Sequence, residues 1–167
     1  GDQLWVAGGP YYPTRNRFGQ PTVGPDATFY ISHVAADVDV LGGFLGNEVE
    51  LWKRNAFAFP TPLDGRGLIS HLVTIEGVDD TTRFDGFLVT GGQAFGDVFA
   101  DWIGAGLVGI SASPIVANCK FVDNAALVGG AGAWVDGSTP VFVNCRFIDN
   151  SCGDTEFSGI GAGLVAG

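Results

Sequence analysis

Charge is scarce in this sequence. Only 16% of its 167 residues are Asp, Glu, Lys or Arg, against roughly 25% in an average globular protein. Eighteen of these are acidic and eight basic, for a formal net charge of −10. That balance argues against DNA, RNA or anionic lipid as partners, which all need clustered Lys and Arg. The same acidity keeps an extracellular protein soluble and leaves room for weakly bound Ca²⁺, with no other cofactor implied. Methionine is absent, and no apolar run is long enough to span a bilayer, so no membrane insertion is expected of this segment. The three cysteines, Cys119, Cys145 and Cys152, are too few and too odd in number for a disulfide framework. The two histidines, His33 and His71, lack ligand spacing and read as ordinary strand or loop residues. There is no Gly-x-Ser-x-Gly elbow, P-loop or Cys-x-x-Cys. Helix is lacking too: the best window, Ala94 to Leu107, is broken by Gly96, Gly104 and Gly106. With no initiating Met and no signal peptide, the chain is expected to be a processed or truncated piece of a longer protein.

What is abundant is glycine, with 27 residues, set among Val and Phe, a composition of strands and tight turns. It is organised as a repeat. Pro114-Ile115-Val116-Ala117-Asn118-Cys119-Lys120-Phe121-Val122-Asp123-Asn124 matches Pro140-Val141-Phe142-Val143-Asn144-Cys145-Arg146-Phe147-Ile148-Asp149-Asn150 position by position, 26 residues on. Gly104-Ala105-Gly106 returns as Gly130-Ala131-Gly132, again 26 residues on, and as Gly161-Ala162-Gly163 after 31. Two motifs sharing one step are the mark of stacked repeats.

Apolar residues alternate within each segment, which is the period of a half-buried strand; helical repeats would need apolar residues three and four apart. Alternation predicts Ile115, Ala117, Cys119, Phe121, Val141, Val143, Cys145 and Phe147 buried, with Lys120 and Arg146 exposed. Stacking strand repeats about 4.8 Å apart closes a continuous core. The expected fold is therefore all-β: a parallel β-helix, or solenoid, forming a single domain over 1–167. Cys119 should stack on Cys145 without bonding to it, because in-register neighbours point their Cβ atoms the same way. Asn124 and Asn150 should form a ladder along the stack, and each Gly-Ala-Gly should turn a sharp corner.

Regular coils are expected over 104–167 and irregular coils with long loops over 1–103. Gly86 to Gly92 lies on Asn118 to Asn124 at an offset of 32, with Phe87 in the place of Cys119 and Val89 in that of Phe121. Val38 to Phe44 and His71 to Ile75 read as strands. Pro10 to Asp26, Gly46 to Arg66 and Gln93 to Trp102 read as excursions.

These motifs resemble a known group. Leu4-Trp5-Val6-Ala7-Gly8-Gly9 with Tyr11-Tyr12-Pro13-Thr14, then Gly42-Gly43-Phe44-Leu45-Gly46-Asn47-Glu48, Leu63-Asp64-Gly65, Asp85 to Gly92, and the Asn-Cys-x-Phe-x-x-Asn and Gly-Gly-x-Gly repeats are similar to large secreted bacterial right-handed β-helix proteins. They resemble, more loosely, the repeats of chlamydial polymorphic outer-membrane proteins. The resemblance implies a right-handed parallel β-helix and an extracellular or cell-surface location. It carries little chemistry. The group has a capping segment before the Trp-Val strand and further coils after the last one here.

Candidate chemistry is thin. Asp79, Asp80 and Arg83 form a tight cluster that suits a lyase or a weak metal site; the plainer reading is a solvated turn. Asp123 and Asp149 stack on adjacent repeats but read as surface turn residues. Trp134 is expected to face outward, because Ala131, Ala133 and Val135 face in. Trp5, Trp102, Leu164 and Val165 join it as candidate contact residues, against the alternative that the aromatics cover neighbouring loops. The function expected is that of a non-catalytic extracellular or cell-surface structural protein, working by self-assembly or adhesion, with itself or other surface proteins as partner. The competing expectation is a polysaccharide-binding or polysaccharide-degrading protein.

Overall fold

Alternating apolar residues make strands, and residues that tolerate a left-handed backbone end them. The computed structural model describes residues 1–32, 38–137, 139–153 and 161–166. Its strands are β1 (Asp2–Ala7), β2 (Phe29–Ser32), β3 (Val38–Phe44), β4 (Thr61–Ile69), β5 (Val73–Glu76), β6 (Arg83–Asp85), β7 (Phe87–Ala94), β8 (Leu107–Ile110), β9 (Ile115–Ala117), β10 (Lys120–Val122), β11 (Ala125–Ala126), β12 (Ala133–Asp136), β13 (Val141–Val143), β14 (Arg146–Ile148), β15 (Ser151–Cys152) and β16 (Leu164–Ala166). Among the described residues, helix is confined to two short 3-10 turns, Leu51–Lys53 and Phe99–Trp102.

The protein is all-β, and its named strand pairs are parallel. The first sheet runs β1-β3-β6-β9-β13 and the third runs β2-β5-β8-β12-β16. In the second, β7 pairs with β4 on one side; on the other its first half pairs with β10 and its second half with β11, and these pair in turn with β14 and β15. Neighbouring strands in each sheet come from successive repeats. Ile115 is opposite Val141, Lys120 opposite Arg146 and Ala133 opposite Leu107. The irregular repeat aligns as its sequence implies, with Val89 opposite Phe121.

A large hydrophobic interior lies between the sheets, with a smaller cluster of Ala94, Ala105, Ala126 and Ala131 beside it. Leu72, Val73, Ile75, Phe84, Val89, Leu107, Val116, Cys119 and Phe121 are among the buried residues of the large interior. Phe121 and Phe147 stack with ring centroids 4.9 Å apart and planes within 7°. Asn124, fully buried, links three repeats: it accepts the Gly92 N–H and donates to Asn150 Oδ1.

Corners explain both the hits and the misses of the alternation. Cys119 and Phe121 are fully buried and Ala117 nearly so; Lys120 and Arg146 are exposed. The expectation fails for Val141 and Val143, which are 49% and 48% exposed, and Ile115 is only half-buried. Val116 is buried in their stead, and Phe142 packs against the core. The cause is Asn118 and Asn144, at φ 52° and 51°. A left-handed residue ends one strand and starts another, so the phase before it does not carry across. Cys145 and Phe147 are half-buried, because no described strand packs beyond β14.

The Gly-Ala-Gly corner needs both of its glycines. Gly104, Gly130 and Gly161 have φ of 62°, 55° and 55°. A Cβ on Gly106 would lie 2.4 Å from the Gly132 carbonyl oxygen, and one on Gly132 would lie 2.5 Å from that of Gly163. The third position of the motif is thus fixed by close approach between repeats.

Two excursion boundaries shift. The chain re-enters strand at Thr61, so the second excursion ends before Arg66, and Gln93 and Ala94 still belong to β7. Pairing with β7 fixes both points.

Candidate functional site

The excursion after β3 is clamped over the outer face of the first sheet, and its sequence shows how. Gly43, at φ 92°, lets the backbone of Ala56 come so near that a Cβ would sit 2.5 Å from it. The Glu48 carboxylate accepts the N–H groups of Leu45, Gly46 and Asn47 at 2.5, 2.8 and 3.1 Å. The Leu45 bond first, and the others with it, hold this carboxyl below its ordinary value. Arg54 then reaches back to the sheet. Its Nε donates to the Gly42 carbonyl and its guanidinium pairs with Asp85.

Asp85 is the hub. It is 1% exposed, paired with Arg54 at 2.5 Å and Arg83 at 2.6 Å, and it accepts Asn118 Nδ2–H at 3.0 Å. Burial alone pushes its carboxyl up; the bonds from Arg54, Asn118 and Arg83 outweigh burial and leave it below the ordinary value. Asn118 Oδ1 in turn accepts from Asn144 at 2.8 Å. A cleft of about 680 Å³ lies between excursion and sheet. Asp39, Arg83, Asp85, Asn118, Lys120 and Asn144 line its polar side, and Leu51, Trp52 and Phe57 line the excursion side. Trp52 and Phe57 are 77% and 89% exposed.

A second cleft, of about 570 Å³, lies on the outer face of the third sheet. Trp134, Val108 and Thr74 belong to its floor strands, with Arg17 and Phe18 from the first excursion and Asp101 from the third. Trp134 is half-buried, between fully buried Ala133 and nearly buried Val135, as the alternation predicts. His71 also lines this cleft, with Nε2 3.9 Å from Asp101 and Nδ1 3.3 Å from the Gly104 carbonyl. Burial pushes its imidazole below the ordinary value, against the pull of Gly104 and Asp101.

The chain matches no protein-family model, no curated protein and no solved structure. The resemblance to secreted β-helix proteins therefore rests on its motifs.

The other sequence candidates fall as follows. Asp79 and Asp80 are exposed on a turn. Asp79 Oδ1 accepts the Thr81 hydroxyl and N–H, closing that turn, and these bonds hold its carboxyl below the ordinary value. Arg83 turns away from them to Asp85. Among the described residues no group of three or more His, Cys, Asp or Glu could hold a metal ion. Asp123 and Asp149 are exposed corner residues at φ 54° and 52°. Trp5 stacks on Phe44 at 4.7 Å, and Trp102 donates its indole N–H to the Gly96 carbonyl at 2.6 Å; both pack within their own chain. Leu164 is 38% exposed and Val165 half-buried on the edge strand β16. His33 lies outside the described residues. The cysteines are free, as expected of Cys119 and Cys145.

Sequence reasoning passed over Arg54, Asp85 and Asn118 as a unit. One signal was there: when Phe87 is laid on Cys119, Gly86 lies on Asn118 and Asp85 on Ala117. The repeats thus set one buried carboxylate among apolar equivalents, and such a carboxylate needs cationic partners.

Proposed function

We propose that the three parallel sheets are the faces of a right-handed parallel β-helix, and that the protein is a non-catalytic extracellular or cell-surface structural protein acting by self-assembly or adhesion. The order of strands within each sheet and the 26-residue register support the winding. One observation carries the function. Among the described residues, β13, β14, β15 and β16 each pair on one side only, and Val141, Val143, Ile148 and Leu164 on these strands are between 38% and 49% exposed. An edge with open backbone groups and apolar side chains is a template for another strand. Asp85, the buried carboxylate of the first cleft, supports the non-catalytic reading, since its oxygens are engaged by two guanidinium groups and an amide.

Sedimentation velocity over a range of concentrations tests this. Association that weakens in Val143→Lys, a charge placed on the edge, is the expected result. A chain that stays monomeric and cleaves a polysaccharide, with cleavage lost in Asp79→Ala or Asp80→Ala, overturns it.

A second reading, carbohydrate binding without cleavage, is favoured by the first cleft. There, two strongly exposed aromatic rings stand over a floor of amide, carboxylate and cationic groups. Aromatic faces and polar edges together are what a sugar ring requires.

A further inference from the structure

We infer that the first cleft binds an acidic polysaccharide, a chain of sugars bearing carboxylate groups. This rests on the carbohydrate-binding reading and adds the charge of the ligand.

The cations are unevenly placed. The chain has eight Lys and Arg against eighteen Asp and Glu. Three of the eight, Arg54, Arg83 and Lys120, line this single cleft, opposite only two carboxylates, Asp39 and Asp85. Asp85 is buried and satisfied by Arg54 and Arg83 together, so that pair of guanidiniums outweighs it by one positive charge. Asp39 is held by the Gln3 amide at 3.2 Å. Lys120 is exposed and has no ion-pair partner among the described residues. Arg146 sits beside it, one strand further along the stack. The locality is net cationic on a protein whose formal net charge is −10.

The shape selects a polymer. The floor crosses β3 and β6 and ends at the Asn118–Asn144 amide pair, which lies on two further repeats. Three strand steps make a track of about 14 Å along the stack. Groups along it recur at the strand spacing: Asp39 on β3, Arg83 on β6, then the amides of Asn118 and Asn144. Arg83 keeps 41% of its side chain in solvent while anchored to Asp85, which leaves the guanidinium oriented and reachable for a carboxylate. Trp52 and Phe57 form the opposite wall and offer faces to the apolar side of a sugar. A neutral glycan would leave the excess positive charge unused, and an acidic peptide would leave the rings unused.

The test is titration of the intact chain, in calcium-free buffer, with oligogalacturonate, sulfated dextran, neutral dextran and poly-Glu. Lys120→Gln, Trp52→Ala and the distant Arg15→Gln serve as variants, with circular dichroism as the check of folding. Oligogalacturonate should bind and weaken with salt. It should lose about ten-fold or more in affinity in Lys120→Gln and in Trp52→Ala, and nothing in Arg15→Gln. Equal binding of neutral dextran overturns the acidic ligand and leaves carbohydrate binding standing. Sulfated dextran binding in place of oligogalacturonate overturns the carboxylate assignment alone. Poly-Glu binding equal to oligogalacturonate and indifferent to Trp52→Ala reduces the cleft to a plain anion site. Binding of none of the four removes both readings.

Discussion

Replacing Asn124 by alanine asks whether the polar ladder holds the repeats together. Asn124 is fully buried. Its Oδ1 accepts the Gly92 N–H at 3.0 Å, and its Nδ2 donates to the Val89 carbonyl at 3.1 Å and to Asn150 Oδ1 at 3.0 Å. Alanine removes all three bonds and orphans the Gly92 N–H away from water, while Val89 keeps its place in the ladder with β10. The orphan costs about 1–3 kcal/mol and the two other lost bonds about 1 kcal/mol each, so the substitution should cost about 3–5 kcal/mol. That is a large part of the ~5–15 kcal/mol that stabilises a typical domain. Asn150→Ala is the paired control. Asn150 donates to the Phe121 carbonyl at 2.8 Å and accepts the Asn124 N–H at 3.1 Å. It is only half-buried, so water can replace much of what is lost, and about 1–2 kcal/mol is expected. Urea unfolding followed by tryptophan fluorescence measures both, with an unchanged m-value as the sign that the unfolded reference is the same. Equal losses in the two variants, or a loss below about 1 kcal/mol in Asn124→Ala, would refute burial as the reason for the difference.

Three further outcomes follow from the titrating groups. Asp85 has its carboxyl held below the ordinary value, so its contribution is present above about pH 4 and is lost as pH falls through the folded value; Asp85→Asn should flatten the acid limb of a stability-against-pH curve and cost about 2–3 kcal/mol, less than a fully buried pair because Arg83 reaches solvent. His71 is pushed down by burial, so its neutral form is stabilising above about pH 6.5 and that stability is lost as pH falls towards the folded value; thermal melts between pH 7.5 and 5.5 should show a slope that His71→Gln removes. Cys145 has its thiol lowered to about 7, chiefly by the Cys119 thiol, while burial pushes Cys119 well up. Iodoacetamide at neutral pH should therefore label Cys145 first and Cys119 only on unfolding, as peptide mapping would show.

Strand class and register were legible because the 26-residue step repeats in two motifs, and stacking forces equivalent residues opposite each other. Lys120 opposite Arg146 needed nothing beyond that step. The phase of β9 and β13 was not legible, since nothing in a period of two announces a left-handed Asn in its midst; Val116 and Phe142 took the inward places assigned to Ile115 and Val141. At the first cleft, Glu48 and the three glycines before it, Gly42, Gly43 and Gly46, were visible as a motif. Arg54 stood next to Lys53 among several charges, prolines and aromatics, with nothing to single it out, and its link to Asp85 spans 31 residues across an excursion. Local pattern reading has no reach over that distance.

The column of Gly106, Gly132 and Gly163 has a consequence for how such a chain can drift and be re-engineered. Where the third glycine of the motif meets the next carbonyl, no side chain can be introduced without prising two repeats apart. That corner is a ridge of bare backbone, barred from acquiring a loop, a charge or a recognition group. Sequence diversity is thereby channelled to the excursions, such as the one between β3 and β4, where the chain leaves and rejoins the sheets. Grafted loops should be tolerated there and rejected at the column itself.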